Sequence, residues 1–313
     1  MSGKIKFVYI GLLALAVVAP LIGIYPVFLM KALCFALFAC AFNLLLGFTG
    51  LLSFGHAAFL GTGGYLAGYS IKVLGLPFEL SLIAGTLGAA AAGYAVGSLA
   101  IRRQGIYFAM ITLALSQLIY FIYLQAPFTG GEDGIQGIPR GRLLGLVDLE
   151  SDIVFYYVVL AIFLFGFWLV YRTIHSPFGQ ILKSIRENEP RAISLGYDVD
   201  KYKLLAFVLS AGLAGSTKVL ALHLASLTDV TWQASGEVVL MTLVGGLGTV
   251  LGPVVGAFVV VALQNYLASY GSWVTVIMGV IFVICVLAFR RGVVGELQGK
   301  FLRTTSSVSA PHS

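Results

Sequence analysis

Charge is what this chain has least of. Only 10% of its 313 residues are Asp, Glu, Lys or Arg, and 59% are hydrophobic, with a mean hydropathy of +0.98. Soluble domains carry about a quarter charged residues, so this composition excludes a soluble globular protein and indicates an integral membrane protein. The three cysteines, Cys34, Cys40 and Cys285, lie in apolar segments without CxxC or metal-ligand spacing, and read as small buried hydrophobes. No phosphate-binding loop is present: the nearest stretch, Gly212 to Lys218, lacks the GxxxxGK[ST] spacing and sits inside an apolar run. HExxH, GxSxG and Cys/His clusters are missing too, and paired carboxylates occur only in loops. A membrane enzyme therefore has no catalytic constellation to use.

What is abundant is apolar length. At about 20 residues per crossing, spans are expected near 6–25, 27–48, 50–71, 77–101, 105–125, 153–172, 204–226, 235–250, 252–269 and 272–289. The first begins after Lys4 and Lys6. It includes Ala14-Leu15-Ala16, a signal-cleavage pattern, but the apolar run continues to Ile24 and reads as an uncleaved span. The expectation is an all-α polytopic bundle of about ten spans, forming one transmembrane domain over residues 1–303, with 304–313 as a disordered tail. Both termini are expected on the cytoplasmic side, because the strongly basic segments then share that side. These are Lys4 and Lys6, Arg102 and Arg103, the 172–203 stretch, and Arg290, Arg291, Lys300 and Arg303. The net charge of +6 is thus a topology signal and gives no reason to invoke nucleic acid. The outer loop, 126–152, mixes Arg140 and Arg142 with Glu132, Asp133, Asp148, Glu150 and Asp152, and its glycines fit tight turns. Spans 2–5 and 7–10 run in opposite senses and each contains a glycine-rich interruption, 47–64 and 245–256, an arrangement compatible with an inverted repeat. Small-residue spacings at Gly64/Gly68, Gly93/Gly97 and Gly248/Gly252/Gly256 indicate close helix packing.

Against this background Arg172–Lys203 is a polar island. It holds six of the 19 basic residues (Arg172, Lys183, Arg186, Arg191, Lys201, Lys203) and four of the 13 acids (Glu187, Glu189, Asp198, Asp200). Gly179–Glu187 reads as a short amphipathic helix, with Ile181, Leu182 and Ile185 on one face. Asn188-Glu189-Pro190 then stops and restarts the helix. Arg191, Ala192, Ile193, Ser194 and Leu195 make a turn or two, and Gly196 is a C-cap. A plain cytoplasmic loop satisfies the charges. A helix–break–helix bracketed by proline and glycine is stiff, and suits a docking surface that transmits a push.

Within the spans, Asn43 to Tyr69 embeds Asn43, Thr49, Ser53 and His56 among seven glycines. Irregular backbone at membrane depth must be buried in protein or line a wet cavity, so this stretch is expected in the core and is a candidate for the translocation path or gate. His56 reads either as a hydrogen-bonded core histidine or as a gating contact. Glu237, two residues after Ser235, reads as an early carboxylate in a serine-capped helix or as an ammonium-binding group near the outer mouth. Lys218 reads as a snorkelling lysine or as a path residue.

Several blocks together resemble one family. SPFGQILKSIRENEPRAISLGYDVDKYKLLAFVLSAGLAG (Ser176–Gly215) looks like the cytoplasmic coupling loop of branched-chain amino-acid ABC importer permeases. NLLLGFTGLLSFGHAAFLGTGGYLAG, TGGEDGIQGIPR and LMTLVGGLGTVLGPVVGA are similar to three further blocks, in the same order. The length and the outer TGG block resemble the LivM-type subunit. The resemblance implies a bacterial inner-membrane permease working with a homologous second permease, two cytoplasmic ATPases and a periplasmic substrate-binding protein. ATP and Mg would be held by the ATPases and no cofactor by this chain. Glu187 to Gly196 would couple to an ATPase, with the coupling helix at about Glu189–Gly196 in the cytoplasmic loop 173–203. Similar permeases carry urea or short amides, and the motifs do not separate these substrates. A secondary transporter or channel is the reading from a different class. It needs an ion-carrying acid deep in the spans, and only Glu237 approaches that.

Overall fold

The computed structural model describes residues 3–143, 147–220, 224–268, 271, 273–288 and 292–296. The basic residues Arg290, Arg291, Lys300 and Arg303 and the 304–313 tail lie outside the described residues. The main helices are α1 (Gly3–Val18), α2 (Pro26–Thr49), α3 (His56–Lys72), α4 (Phe78–Ala100), α5 (Ile106–Gln125) and α6 (Asp152–Ile174). They are followed by α7 (Pro177–Glu187), α8 (Glu189–Ser194), α9 (Val199–Leu220), α10 (Trp232–Gly245), α11 (Gly252–Leu267) and α12 (Trp273–Ala288). Among the described residues the fold is all-α apart from two-residue strands: β1 (Ile135–Gln136) pairs antiparallel with β4 (Leu224–Ala225), and β2 (Arg142–Leu143) with β3 (Val147–Asp148). Among the described residues, four helices, α2, α4, α5 and α6, are long and apolar enough to cross a membrane.

Helix α2 is the axis of the bundle. It is buried along most of its length and packs against α6, α9, α10 and α11. Helix α9 wedges between α3 and α4 because small residues remove the side chains that would hold it off. A Cβ on Gly63 would come within 2.3 Å of the Gly215 carbonyl oxygen, and one on Gly93 within 2.4 Å of Ala211. Without an apolar driving force between lipid-facing helices, such close backbone packing supplies the association energy. Gly93 and Gly97 both face α9, and Gly252 and Gly256 both face α10, so these spacings serve helix packing.

The span expected at 6–25 is α1, Gly3–Val18, and three further spans differ from the sequence expectation, each for a local reason. The span expected at 50–71 starts as a helix only at His56. Gly50 has φ +80°, ending α2 in a left-handed residue, and five residues of non-helical backbone, 51–55, follow. The span expected at 204–226 is shifted to 199–220. The Asp198 carboxylate accepts from the Lys201 backbone N–H at 3.3 Å, starting α9 early, and the chain leaves the helix to pair as β4. The span expected at 235–250 is α10, 232–245. A 3-10 turn at Leu227–Val230, closed by a reciprocal Ser226/Asp229 capping box, sets the entry, and Gly246 at φ +122° ends the helix.

Contacts sort the helix termini into two ends. At the island end lie the C-terminus of α2, the α4–α5 link and the α10–α11 turn. Gln104 there donates to Glu189 at 2.8 Å, and Arg186 approaches Gly248. At the opposite end lies the 126–151 loop, where the Lys72 ammonium donates to the Gln136 carbonyl at 2.7 Å and β1 pairs with β4. The hydroxyl of Tyr156, in the first turn of α6, reaches the Ala16 carbonyl, bringing the C-terminal turn of α1 to this same end.

Candidate functional site

The island is built from local caps and two long-range anchors. Ser176 caps α7, its hydroxyl accepting from the Gly179 N–H at 3.3 Å, and Pro177 opens the helix. Asn188 both ends α7 and caps α8, accepting from the Arg191 N–H at 3.1 Å. Helix α8 closes in a Schellman arrangement: Tyr197 N–H bonds to Ala192 C=O at 3.2 Å and Gly196 N–H to Ile193 C=O at 2.9 Å. Gly196 has φ +87°, a conformation that only glycine adopts at little cost. Ile185, Ala192 and Val199 form a small core beneath the element, leaving Ile193 and Leu195, 56% and 66% exposed, pointing away from it. An apolar pair on a stiff, protruding turn is a surface suited to a partner.

Glu189 anchors α8 to the bundle. Its Oε1 pairs with the Lys203 ammonium at 2.7 Å and accepts from Gln104, and the Lys203 side chain is only 3% exposed. Arg186 anchors α7, its guanidinium donating to the Gly47 carbonyl near the end of α2. Asn43 joins the same place from within α2. Its amide N–H donates to the Thr249 carbonyl at 2.9 Å and its oxygen accepts from the Gly248 N–H at 3.1 Å. The two glycine-rich interruptions therefore meet at Asn43, and the island reaches that junction through Arg186.

The break between α2 and α3 is buried, and every polar residue near it has a task. Thr49 donates to the Leu44 carbonyl at 3.1 Å. The free N–H groups at the start of α3 are taken up by side chains: Phe54 N–H by Thr112 at 3.3 Å, Gly55 N–H by Ser53 at 3.3 Å, Ala57 N–H by Ser235 at 3.0 Å. Ser235 thus does not cap its own helix, as the sequence suggested. It sits one turn inside α10, fully buried, and caps α3 instead. His56 opens α3 with no exposure. Its Nε2 meets the Ser210 hydroxyl at 2.7 Å, and Ser210 donates onward to the Ala41 carbonyl. Phe42 and Phe59 stand edge-on to the imidazole at 5.4 Å, with Phe207 at 5.9 Å and Phe38 stacked at 6.3 Å.

Above this aromatic box, toward the end opposite the island, is a cavity of about 740 Å³. Phe38 belongs to both, so the box is the cavity floor. Lys218 and Glu237 line the cavity, whereas Asn43, Thr49, Ser53 and His56 do not. Lys218 pairs with Asp229 at 2.8 Å rather than snorkelling, and its stem crosses α3 at Gly64, where a Cβ would stand 2.5 Å from Lys218 Cγ. Glu237 hydrogen-bonds Gln264. Sequence reasoning missed Asp229, Lys31 and Gln264 on this wall, and Ser210 beside His56. Lys31 alone carried a readable signal, a charge within an apolar span.

Over residues 24–286 the chain matches the family described as the permease component of the branched-chain amino acid transport system. It is 26% identical to the high-affinity branched-chain amino acid transport system permease protein LivM of Escherichia coli, over 92% of this chain and 75% of that protein. The LivM protein of Salmonella typhimurium is also 26% identical, over 80% of this chain and 65% of its own length. The ribose import permease protein RbsC of Bacillus subtilis is 28% identical, over 58% of each chain. No solved structure matches. With the match covering most of its length, the chain belongs to the branched-chain amino-acid transport permease family.

Proposed function

We propose that this chain is the permease subunit of an ATP-driven importer of branched-chain amino acids in a bacterial inner membrane. It would work with a homologous second permease, two cytoplasmic ATPases that hold ATP and Mg, and a periplasmic substrate-binding protein. The observation that carries this reading is the island. A capped, rigid turn presents Ile193 and Leu195 outward and is tied by Glu189 and Arg186 to the bundle and to the junction of its two interruptions. Family membership and the LivM relatives supply the transported class.

In this reading ten helices cross the membrane, α1–α6 and α9–α12, with the island end cytoplasmic. An inverted repeat relates α2–α5 to α9–α12. The packing supports it, since α4 against α9 has its counterpart in α11 against α2, and α3 against α4 in α10 against α11. The cavity faces the periplasm, and the His56 box and the Asn43 junction close the cytoplasmic half. Nucleotide-driven closure of the ATPases would push α8. Glu189 and Arg186 would pass that motion to α9 and to the α10–α11 turn.

The test is uptake of labelled leucine by vesicles holding the reconstituted complex. ATP-dependent uptake is expected, together with its loss, without loss of membrane insertion, when Glu189–Gly196 is scrambled. Normal uptake with that segment scrambled, or uptake driven by an ion gradient without the ATPases, would overturn the reading.

A further inference from the structure

The cavity wall carries four charges of two kinds. Lys218 and Asp229 are committed to each other at 2.8 Å, tying the 227–230 turn to α9. Glu237 and Lys31 are not: neither has a carboxylate–ammonium partner within salt-bridge distance among the described residues. Glu237 lies beside the neutral amide of Gln264 and feels the Lys31 charge without contacting it, and Lys31 lies over the Phe35 ring at 5.9 Å. Both line the same cavity. Glu237 is half-buried and Lys31 exposed, and two opposite charges on one cavity wall that do not meet are open to a ligand that bridges them. Deeper in the cavity the wall turns apolar, with Met30, Cys34, Phe38 and Leu60.

We propose that this cavity binds one zwitterionic aliphatic α-amino acid, with its ammonium on Glu237, its carboxylate on Lys31 and its side chain against Cys34, Phe38 and Leu60. The inference rests on the importer reading above and adds a substrate site within this one chain. The charge balance selects the ligand class. The wall holds two cations and two anions, so a net anion or a net cation would leave one charge unmatched. A zwitterion leaves none, and it satisfies the two groups the fold leaves open. A neutral amide or sugar would hydrogen-bond there but neutralise neither group. The apolar floor then favours a hydrocarbon side chain over a polar one, at about 0.8 kcal/mol for each buried methylene.

Cys34 gives a readout that does not depend on transport. In the complete reconstituted transporter, with Cys40→Ala and Cys285→Ala in this chain and the partner subunits made cysteine-free, a methanethiosulfonate reagent reports access to Cys34. L-Leucine is expected to slow modification about tenfold at saturation, while isovalerate and isoamylamine, each lacking one charge, leave it unchanged. Glu237→Gln and Lys31→Met should each remove the protection, and Glu237→Asp should keep part of it, showing that charge rather than folding is read. Protection that persists in Glu237→Gln, or equal protection by the amine or the acid, overturns the assignment. If the complex takes up leucine but leucine fails to protect Cys34, the site is wrong and the importer reading stands. If the complex with all its partners takes up no amino acid, the importer reading itself falls.

Discussion

The guanidinium of Arg186, on the island helix α7, donates to the backbone carbonyl of Gly47, 139 residues earlier and near the end of the central helix α2. Gly50 and Gly248 both lie against the same side chain, at 3.2 Å for an added Cβ. One residue therefore touches the island, the end of α2 and the α10–α11 turn. Substituting Arg186 by Ala should uncouple these parts rather than unfold them. A charge-assisted hydrogen bond contributes about 1.5–3 kcal/mol, so uptake should fall on the order of tenfold or more. The ATPases should still co-purify and still hydrolyse ATP. Loss of co-purification would show instead that Arg186 only shapes the docking surface.

Glu189 and Lys203 make the second anchor, and a double-mutant cycle can isolate it. Lys203 is almost fully buried, so Lys203→Met leaves Glu189 with Gln104 alone, and Glu189→Gln leaves a buried ammonium without a counter-charge. Each single change should lower the thermal midpoint of the purified protein, Glu189→Gln more so. The double change should recover part of the loss, with a coupling of about 1–3 kcal/mol. Strictly additive effects would mean that the pair holds nothing.

The island was legible in the sequence because its signals are local. Asn188, Pro190 and Gly196 are stops and caps that act within four residues, and each occupies the place its chemistry favours, whereas the Ser176 cap starts α7 at Pro177, two residues before the expected Gly179. The site in the bundle was legible only in part. The stretch holding Asn43, Thr49, Ser53 and His56 was marked by polar residues among glycines, but the groups that meet it, Gly248 at Asn43, Ser210 at His56, and Thr112 and Ser235 at the Phe54 and Ala57 N–H groups, come from other helices and the α10–α11 turn. No local pattern points from Lys218 to Asp229, because the pairing depends on the turn that brings 229 back over the end of α9. Lys203 read as one more solvated charge of the island, and only the packing of α8 onto α9 buries it. Ser235 misled because a serine just before a glutamate resembles a cap, while the true helix start lies one turn earlier.

Gly63 tests whether the α3–α9 crossing sets stability. Its position leaves no room for a methyl group, since an added Cβ would lie within 2.6 Å of three backbone atoms of Gly215. Backbone cannot move aside as a side-chain tip can. Gly63→Ala should therefore cost about 1–3 kcal/mol through overpacking, despite the better helix propensity of alanine. Gly236→Ala, on α10 with nothing within 4 Å of an added Cβ, is the control and should be neutral or slightly stabilising. Thermal unfolding in detergent compares the two.

Asp198 gives a pH-dependent effect whose sign is fixed by its contacts. Its carboxylate accepts from the Lys201 backbone N–H and pairs with the Lys201 ammonium at 2.7 Å. These hydrogen bonds and the lysine charge hold its carboxyl below the ordinary value of 3.8. A carboxyl that is more acidic in the folded state than in the unfolded chain stabilises the fold above its unfolded pKa, and the contribution disappears as the pH falls through the folded value. Asp198→Ala should therefore lower the thermal midpoint at neutral pH, and the difference from the wild type should shrink as the solution is acidified below the ordinary carboxyl range. Asp198→Asn keeps the cap but not the charge, and should fall between the two at neutral pH with little dependence on acid. The site is fully exposed, so added salt should weaken the ionic part of the effect and leave the capping part in place.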